Sequence, residues 1–162
     1  MIYYIADNHF GHKNVIRFDN RPFADTVLMD EVLVHNWNER VTEDDTVYIL
    51  GDCFWKNEEN SVKLIQRLKG HKHLIRGNHD RVHGRLRFYY ESIEHYAEIN
   101  DNDRLVILCH YPIPFYKNQH YGAVMLYGHV HNTREQDFIE KWKRELWESE
   151  IPCNMINVGC MM

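Results

Sequence analysis

Several short apolar segments of this chain end directly in a side chain that can bind a metal ion. The clearest case is segment 74–80 (LIRGNHD), in which an apolar run is followed by a glycine and three polar residues. Glycine lets the chain turn sharply, and ligands of open α/β sheets bind beyond the carboxyl ends of the strands. We therefore expect Asn78, His79 and Asp80 to lie over the sheet edge. By itself, the segment is also compatible with an ordinary polar turn.

The same pattern recurs along the chain. Five predicted strands end in a side chain with metal-binding capacity, namely Asp7, Asp52, Asn78, His110 and His129. Two of these donors are followed two positions later by a histidine, at His9 and His131. In an extended or turning segment this spacing can point both side chains the same way, so that they chelate one cation.

The order of the predicted elements indicates the fold class. Strands alternate with helices through the first half of the chain, which favours right-handed crossovers and a parallel sheet. Helix N-caps are predicted at Asp25 and at Asn60 or Ser61, whereas segment 11–21 is predicted to be a polar loop. The remaining predicted elements are strands 92–100 and 104–110 joined as a hairpin, strand 123–127, helix 134–150 and strand 155–159.

Length and charge restrict the classes of protein that this chain can belong to. The 162 residues predict a single domain spanning 1–162, and the net charge of −5 argues against a broad surface for duplex DNA. The four cysteines show no Cys-x-x-Cys spacing, so neither a zinc finger nor a thioredoxin-like motif is expected. The absence of a basic leader and of a long apolar run predicts a cytoplasmic protein with no membrane contact.

The predicted donors favour a particular set of metals. Two carboxylates, four imidazoles and one carboxamide suit manganese, iron, zinc or nickel better than calcium, and manganese is the metal that we expect. Seven donors are too many for one tetrahedral ion, but with one bridging carboxylate they divide over two divalent cations. Two such cations opposite two aspartates leave an excess of positive charge, which would attract a phosphate ester.

This charge distribution also predicts a reaction. A water that bridges the two metals would have a lowered pKa and could attack phosphorus in line as hydroxide. His79 is adjacent to a donor but is not needed as one, so it is the expected general acid, with Asp80 placed to orient or charge its ring.

The ordered motifs resemble those of a known superfamily. Asp7-x-His9, Gly51-Asp52, segment 77–80, His110 and Gly128-His129-x-His131 together resemble the calcineurin-like metallophosphoesterase superfamily. Segments 8–12 and 21–23 further resemble a small group of bacterial and phage phosphoesterases without an assigned substrate. The resemblance implies two mixed β-sheets packed face to face with helices outside, so the expected α/β (α+β) fold becomes a four-layer sandwich.

The resemblance also implies a role for each donor. It implies that one metal is held by Asp7, His9 and His131, that the other is held by Asn78, His110 and His129, that Asp52 bridges them and that His79 is the catalytic acid. The superfamily pattern has a second acid three residues after Asp52, where this chain has Trp55. The sequence therefore leaves open which group orients a ligating histidine.

The expected function is that of a binuclear metal-dependent phosphoesterase. Because a compact chain has little room for a cap domain, diesters such as a cyclic nucleotide or a nucleic-acid end are expected ahead of phosphomonoesters. The alternatives are a phosphomonoesterase and a catalytically silent protein-binding scaffold, although the complete donor set and His79 favour an enzyme. Arg17, Arg21 and Arg76 are lesser candidates for contacts to the substrate. The sequence indicates no protein partner and leaves open whether helix 134–150 acts as a lid.

Overall fold

The computed structural model describes all residues from 1 to 162 and contains eight strands and four α-helices. The strands are β1 (Ile2–Ile5), β2 (Thr46–Ile49), β3 (His71–Ile75), β4 (Ser92–Glu94), β5 (Tyr96–Asp101), β6 (Arg104–Cys109), β7 (Val124–Tyr127) and β8 (Met155–Asn157). The helices are α1 (Lys13–Phe18), α2 (Thr26–Arg40), α3 (Glu58–Ile65) and α4 (Arg134–Glu148).

The strands form two four-stranded sheets, with the orders β1-β2-β3-β4 and β5-β6-β7-β8. All pairings in the first sheet are parallel. In the second sheet, β5 and β6 are antiparallel and the other pairings are parallel. The expectation of two mixed sheets is therefore wrong for the first sheet, where the helix connections between successive strands keep every strand in the same direction.

The predicted strand 92–100 is divided between the two sheets. Residues Ser92–Glu94 form β4 at the edge of the first sheet, whereas Tyr96–Asp101 form β5 in the second. Only the exposed residue His95 separates them. Both parts are extended, so the local pattern gave no sign that the chain changes its partner strand.

Side chains alternate between two environments along the strands. In β2, Val47 and Ile49 belong to the cluster that packs under helices α2 and α3. Leu50, directly after β2, faces the second sheet. In β6, Leu108 likewise faces the first sheet while Ile107 packs toward α4. This two-residue period buries both faces of each sheet and gives the order helices, sheet, sheet, helix.

The helix starts partly match the predictions. Asp25 caps α2, since its side chain accepts a hydrogen bond from the Leu28 N–H at 2.9 Å. Helix α3 is capped by Asn57 instead of Asn60 or Ser61, which places Glu58 and Glu59 in the positive first turn of the helix. The predicted loop 11–21 contains the six-residue helix α1, whose one buried residue gives no detectable period.

Backbone hydrogen bonds join the two sheets at one end. The Ala6 N–H, just after β1, donates to Val158 at 2.8 Å, and the Cys160 N–H donates to the Ala6 carbonyl at 2.9 Å. The ends of β1 and β8 therefore meet at this edge, where the predicted donors lie. No helix of the chain combines the length and the apolar character needed to cross a membrane.

Candidate metal centre

The loops that follow the strands bring the predicted donors together at one edge. Asp7, His9 and His131 present ligand atoms within 4.8 Å of one another, and so do Asp7, Asp52 and His110. Both groups are almost entirely buried, and Asp7 belongs to both. Donors that are far apart in the sequence thus converge on one small volume, which forms two overlapping candidate metal-ligand groups.

The backbone is strained at most of these donors. Five of the predicted ligands adopt a left-handed φ between 48° and 71°, namely Asp7, His9, Asp52, His129 and His131. For a residue other than glycine this conformation costs on the order of 1–3 kcal/mol and is concentrated at functional sites. This left-handed conformation turns the chain back after the strands, so that the side chains point over the sheet edge.

Asp52 lies between the two sets of donors. Its Oδ1 atom accepts a hydrogen bond from the His79 N–H at 2.9 Å. Its Oδ2 atom lies 3.8 Å from Nε2 of His9 and 3.6 Å from Nε2 of His110. One carboxylate oxygen is therefore fixed, and the other faces a histidine from each set.

The first set of donors is tightly arranged. Nε2 of His9 lies 3.2 Å from Nε2 of His131, which in turn lies 3.8 Å from Oδ1 of Asp7. Nδ1–H of His131 donates to Oδ2 of Asp19 at 2.8 Å, which leaves Nε2 to face the centre. Two imidazole nitrogens this close, beside a carboxylate, form the donor set that a transition-metal cation requires.

The second set is assembled in part. Nδ1–H of His110 donates to the Leu50 carbonyl at 2.8 Å, and its Nε2 lies 3.0 Å from Oδ1 of Asn78. With the ring proton on Nδ1, the lone pair of Nε2 and the amide oxygen of Asn78 converge. The ring of His129 is 5.0 Å from that of His110, but His129 does not belong to either close group.

Burial shifts the pKa values in the directions that suit a cation. Burial raises the pKa of Asp7 to about 6, so its negative charge is poorly stabilised by the protein alone. Burial and the nearby His131 lower the pKa of His9 to about 2, so this imidazole is neutral, which is the form that binds metals. Its Nδ1 atom is buried with no hydrogen-bond partner. The residues of the first set therefore fit a divalent cation.

Two glycines allow the carboxylates to approach the backbone. A Cβ atom at Gly77 would overlap the carboxylate of Asp52, and one at Gly128 would overlap that of Asp7. Gly77 does not have a positive φ, so the turn after β3 does not depend on a left-handed glycine. Its role is steric, because any side chain there would displace Asp52.

His79 and Asp80 have different environments. The ring of His79 is exposed, lies edge-on to Trp55 at 4.6 Å and is 6.0 Å from the ring of His9. The Asp80 carboxylate is buried and accepts hydrogen bonds from the N–H groups of Gly77, Asp52 and Cys53 at 2.8–3.0 Å. The expectation that Asp80 orients the His79 ring is therefore wrong, because both its oxygens hold the two strand-end loops together.

Comparison with known proteins gives a family but not an activity. No family model matches the sequence. The uncharacterized protein MJ1445 of Methanocaldococcus jannaschii is 35% identical over 139 residues, which span 85% of this chain and 73% of that protein. The chain belongs to the MJ1445 family.

Two further similarities extend this result. The Gene 66 protein of Mycobacterium phage L5 is 38% identical over 85 residues, which are 50% of this chain and 40% of that protein. The crystal structure of AQ665 from Aquifex aeolicus, a protein of unknown function, superposes with a TM-score of 0.75 at 25% identity, covering 99% of this chain and 90% of that one. The fold is thus shared with a protein of known structure.

Arg21, one of the three arginines predicted to contact a substrate, is bound by other residues of this MJ1445-family chain. Arg21 is buried and donates to Asp19 and to the carbonyls of Asp7 and Asn8. It is therefore a structural residue, and its predicted role is wrong, because each nitrogen of its guanidinium already has a partner in the protein.

The other two predicted arginines, Arg76 and Arg17, have different environments. Arg76 is half-buried and donates to the backbone carbonyl of Asp80 at 3.2 Å. Arg17 is exposed on α1, with its guanidinium 5.7 Å from the ring of Phe18. Neither contacts a predicted ligand, so the structure gives no support for a substrate contact by either one.

Asp19 is the residue that sequence reasoning missed. It lies at the C-terminus of α1, where it accepts hydrogen bonds from both His131 and Arg21. The one local signal was its position two residues before Arg21. Its histidine partner is 112 residues away, so the pairing could not be read from the local pattern.

Proposed function

We propose that this chain is a metal-dependent phosphoesterase of the calcineurin-like metallophosphoesterase type, which hydrolyses phosphodiesters in preference to monoesters. The observation that supports this proposal most strongly is the position of Asp52, whose Oδ2 atom faces a histidine from each of the two donor sets. A single carboxylate between two sets of nitrogen and oxygen donors is the arrangement that a two-metal hydrolytic site needs.

The proposal assigns the donors as follows. One cation would be held by Asp7, His9 and His131, the other by Asn78, His110 and His129, with Asp52 between them. When bound, two divalent cations would polarise the phosphate and lower the pKa of water. Manganese is the proposed metal, with iron, zinc and nickel as alternatives suited to the same mixed nitrogen and oxygen donors.

His79 is well placed to act as the proton donor. Its N–H binds Asp52 while its ring is exposed and lies beside the buried His9. The backbone is thus tied to the central carboxylate, while the imidazole faces the solvent from which a substrate enters. A group in this position can protonate the oxygen that leaves phosphorus, a contribution of roughly 10²–10⁴-fold to the rate.

Local charge supports an anionic substrate even though the chain carries a net charge of −5. The neutral imidazole of His9 adds no charge, and only Asp7 and Asp52 carry negative charge among the proposed ligands. Two divalent cations would therefore leave a local positive excess that attracts a phosphate group. The net charge of −5 favours a small phosphate ester, such as a nucleotide or a nucleic-acid end, over a long duplex.

Hydrolysis of bis-p-nitrophenyl phosphate and p-nitrophenyl phosphate by the manganese-loaded protein tests the proposal. We expect faster turnover of the diester and loss of this activity in Asp52→Asn, because the altered side chain serves both proposed cations. Faster turnover of the monoester would replace the diester preference with a phosphomonoesterase activity. Failure to hydrolyse either ester with manganese, iron, zinc or nickel bound would overturn the proposed activity and favour a binding scaffold.

A further inference from the structure

A cavity of about 200 Å³ lies next to His79, and the roles proposed for His79 and the metal ligands do not use it. Asn78 and His79 form the side of the cavity that is shared with the candidate metal centre. The opposite side is formed by the segment that follows Asp80, including Val82 and Leu86. The cavity is therefore continuous with the position at which His79 would deliver its proton.

The walls of this cavity suit a flat ring. Phe54, Leu86 and Tyr90 are buried and form an apolar floor, and the Trp55 indole stands at the rim with 45% of its surface exposed. Exposed tryptophan beside an apolar floor is a typical platform for a nucleobase, because every base has a π-face that can stack.

Trp55 is held rigidly in this position. The ring of His12 stacks on it at 4.0 Å with an interplanar angle of 18°. The backbone N–H of Trp55 donates to the Phe10 carbonyl at 2.9 Å, which continues the pairing of the two strand-end loops. A stacking surface that is already fixed loses little conformational entropy when a ligand binds.

One cation at the rim remains available. Arg81 is exposed and lines the cavity, and no acidic side chain pairs with it. The other cation of the lining, Lys56, is bound to Asp30 at 3.1 Å. A single free guanidinium suits one additional phosphate, which it can bind through two parallel hydrogen bonds.

We propose that this cavity is the subsite for the leaving group and that it binds a nucleoside, with a further phosphate of that nucleoside at Arg81. The inference rests on the proposed function, since it places the leaving oxygen at His79. The group attached to that oxygen must then lie on the cavity side of His79. The substrate class that follows is a phosphodiester in which a nucleotide is expelled, as at the end of a nucleic-acid strand.

The reaction at this subsite is an ordinary hydrolysis. Water supplies the hydroxyl that joins phosphorus, and the bond between phosphorus and O5′ of the nucleoside breaks. O5′ takes the proton of His79, and the proton released by water restores the acid over the whole cycle. The products of thymidine 5′-methyl phosphate would be thymidine and methyl phosphate.

Thymidine 5′-methyl phosphate provides an internal competition. Both ester oxygens are alkoxides of similar basicity, so the ratio of thymidine to methanol released reports which group occupies the subsite. We expect the manganese-loaded protein to release thymidine over methanol by about tenfold or more, the size of a base-stacking contribution. Trp55→Ala should bring this ratio close to one, whereas Trp55→Phe, which keeps a flat ring, should retain most of it.

Two control variants and a second substrate complete the test. Phe88→Ala removes an aromatic ring that is 79% exposed and outside the cavity, so it should leave the product ratio unchanged. A phosphate added at O3′ of thymidine should raise kcat/KM about tenfold or more through a bidentate contact to Arg81. This gain should vanish in Arg81→Gln and persist in Arg87→Gln, an exposed arginine outside the cavity.

The possible failures are distinguishable. The nucleoside subsite is overturned by a product ratio near one in the unaltered protein, or by a ratio that Trp55→Ala leaves unchanged. In either case, hydrolysis of bis-p-nitrophenyl phosphate would still support the phosphoesterase activity. If kcat/KM is insensitive to the added phosphate, the role of Arg81 is overturned. If bis-p-nitrophenyl phosphate is not hydrolysed at all, the proposed function fails and the subsite inference fails with it.

Discussion

Asp19 accepts a hydrogen bond from Nδ1–H of His131 at 2.8 Å through its Oδ2 atom. The same oxygen accepts from Nε and Nη2 of Arg21 at 3.0 and 2.9 Å. Because Arg21 holds the Asp19 carboxylate in place, the hydrogen bond to this carboxylate fixes the plane of the His131 ring. The chain therefore orients a candidate ligand with an acid at the C-terminus of helix α1, whereas the superfamily pattern has an acid at the position of Trp55.

Replacement of Asp19 tests this positioning role. Asp19→Asn should weaken manganese affinity about 10–100-fold, because loss of a partner that orients a ligand has effects of that size. Titration calorimetry on the metal-free protein measures the change. Asp44→Asn, at an exposed position, is the matched control and should leave the affinity unaltered. Equal affinities for Asp19→Asn and the unaltered protein would show that the His131 ring needs no such support.

Removal of Arg21 should reduce stability. Arg21→Met leaves the Asp19 carboxylate without its buried cation and the carbonyls of Asp7 and Asn8 without donors. Breaking a buried pair in this way costs about 3–5 kcal/mol. Urea unfolding of the metal-free protein measures the loss, and Arg17→Met, on the exposed side of α1, should change the free energy of unfolding by less than about 0.5 kcal/mol. A small change for Arg21→Met would show that this guanidinium is dispensable to the fold.

Asp80 is expected to stabilise the loops and not to assist His79 directly. Asp80→Ala removes the acceptor of three backbone N–H groups, two of them buried, so the free energy of unfolding should fall by about 3 kcal/mol or more. In the milder variant Asp80→Asn, turnover per metal-loaded molecule should remain within a few-fold of the unaltered protein. A loss of turnover as large as that of His79→Ala, with metal content intact, would restore the direct role in orienting the His79 ring.

His79 should affect turnover but not metal content. His79→Ala should lower the turnover of esters with alkoxide leaving groups by on the order of 10²–10⁴-fold. It should affect p-nitrophenyl esters less, because the p-nitrophenolate leaving group hardly needs a proton. Steady-state kinetics with both types of ester and metal analysis of the same samples measure these effects. His83→Ala, at a nearby exposed histidine, is the control. Loss of metal from His79→Ala would mean that this side chain is a ligand.

The sequence predicted the positions of the strand ends because these depend on local chemistry. The run before Asp52 combines β-branched or aromatic residues with an abrupt change to polar ones. Strands β2 and β3 end three residues before the donors Asp52 and Asn78. The sequence could not predict that residues 92–100 divide between two sheets, because the exchange of partners at His95 leaves the local conformation extended.

The supporting residues of the site were harder to predict for a related reason. Asp80 and His79 are adjacent in sequence, but their side chains have opposite environments. The Asp80 carboxylate is buried and accepts hydrogen bonds from backbone N–H groups, whereas the His79 ring is exposed. Adjacency alone gives no direction in space. Asp19 and His131 are close only because helix α1 packs near the end of β7, and a six-residue helix with Val15 as its one buried residue leaves little trace in the sequence.

Anomalous diffraction at the manganese absorption edge, from crystals grown with excess Mn²⁺, tests the proposed centre most directly. We expect two manganese peaks with the Asp52 carboxylate between them, separated by about 3.5–4 Å, which is the spacing of two-metal hydrolytic sites. One peak should lie against His9 and His131, and the other against Asn78 and His110. A single peak, or peaks remote from Asp52, would contradict a binuclear centre at this sheet edge.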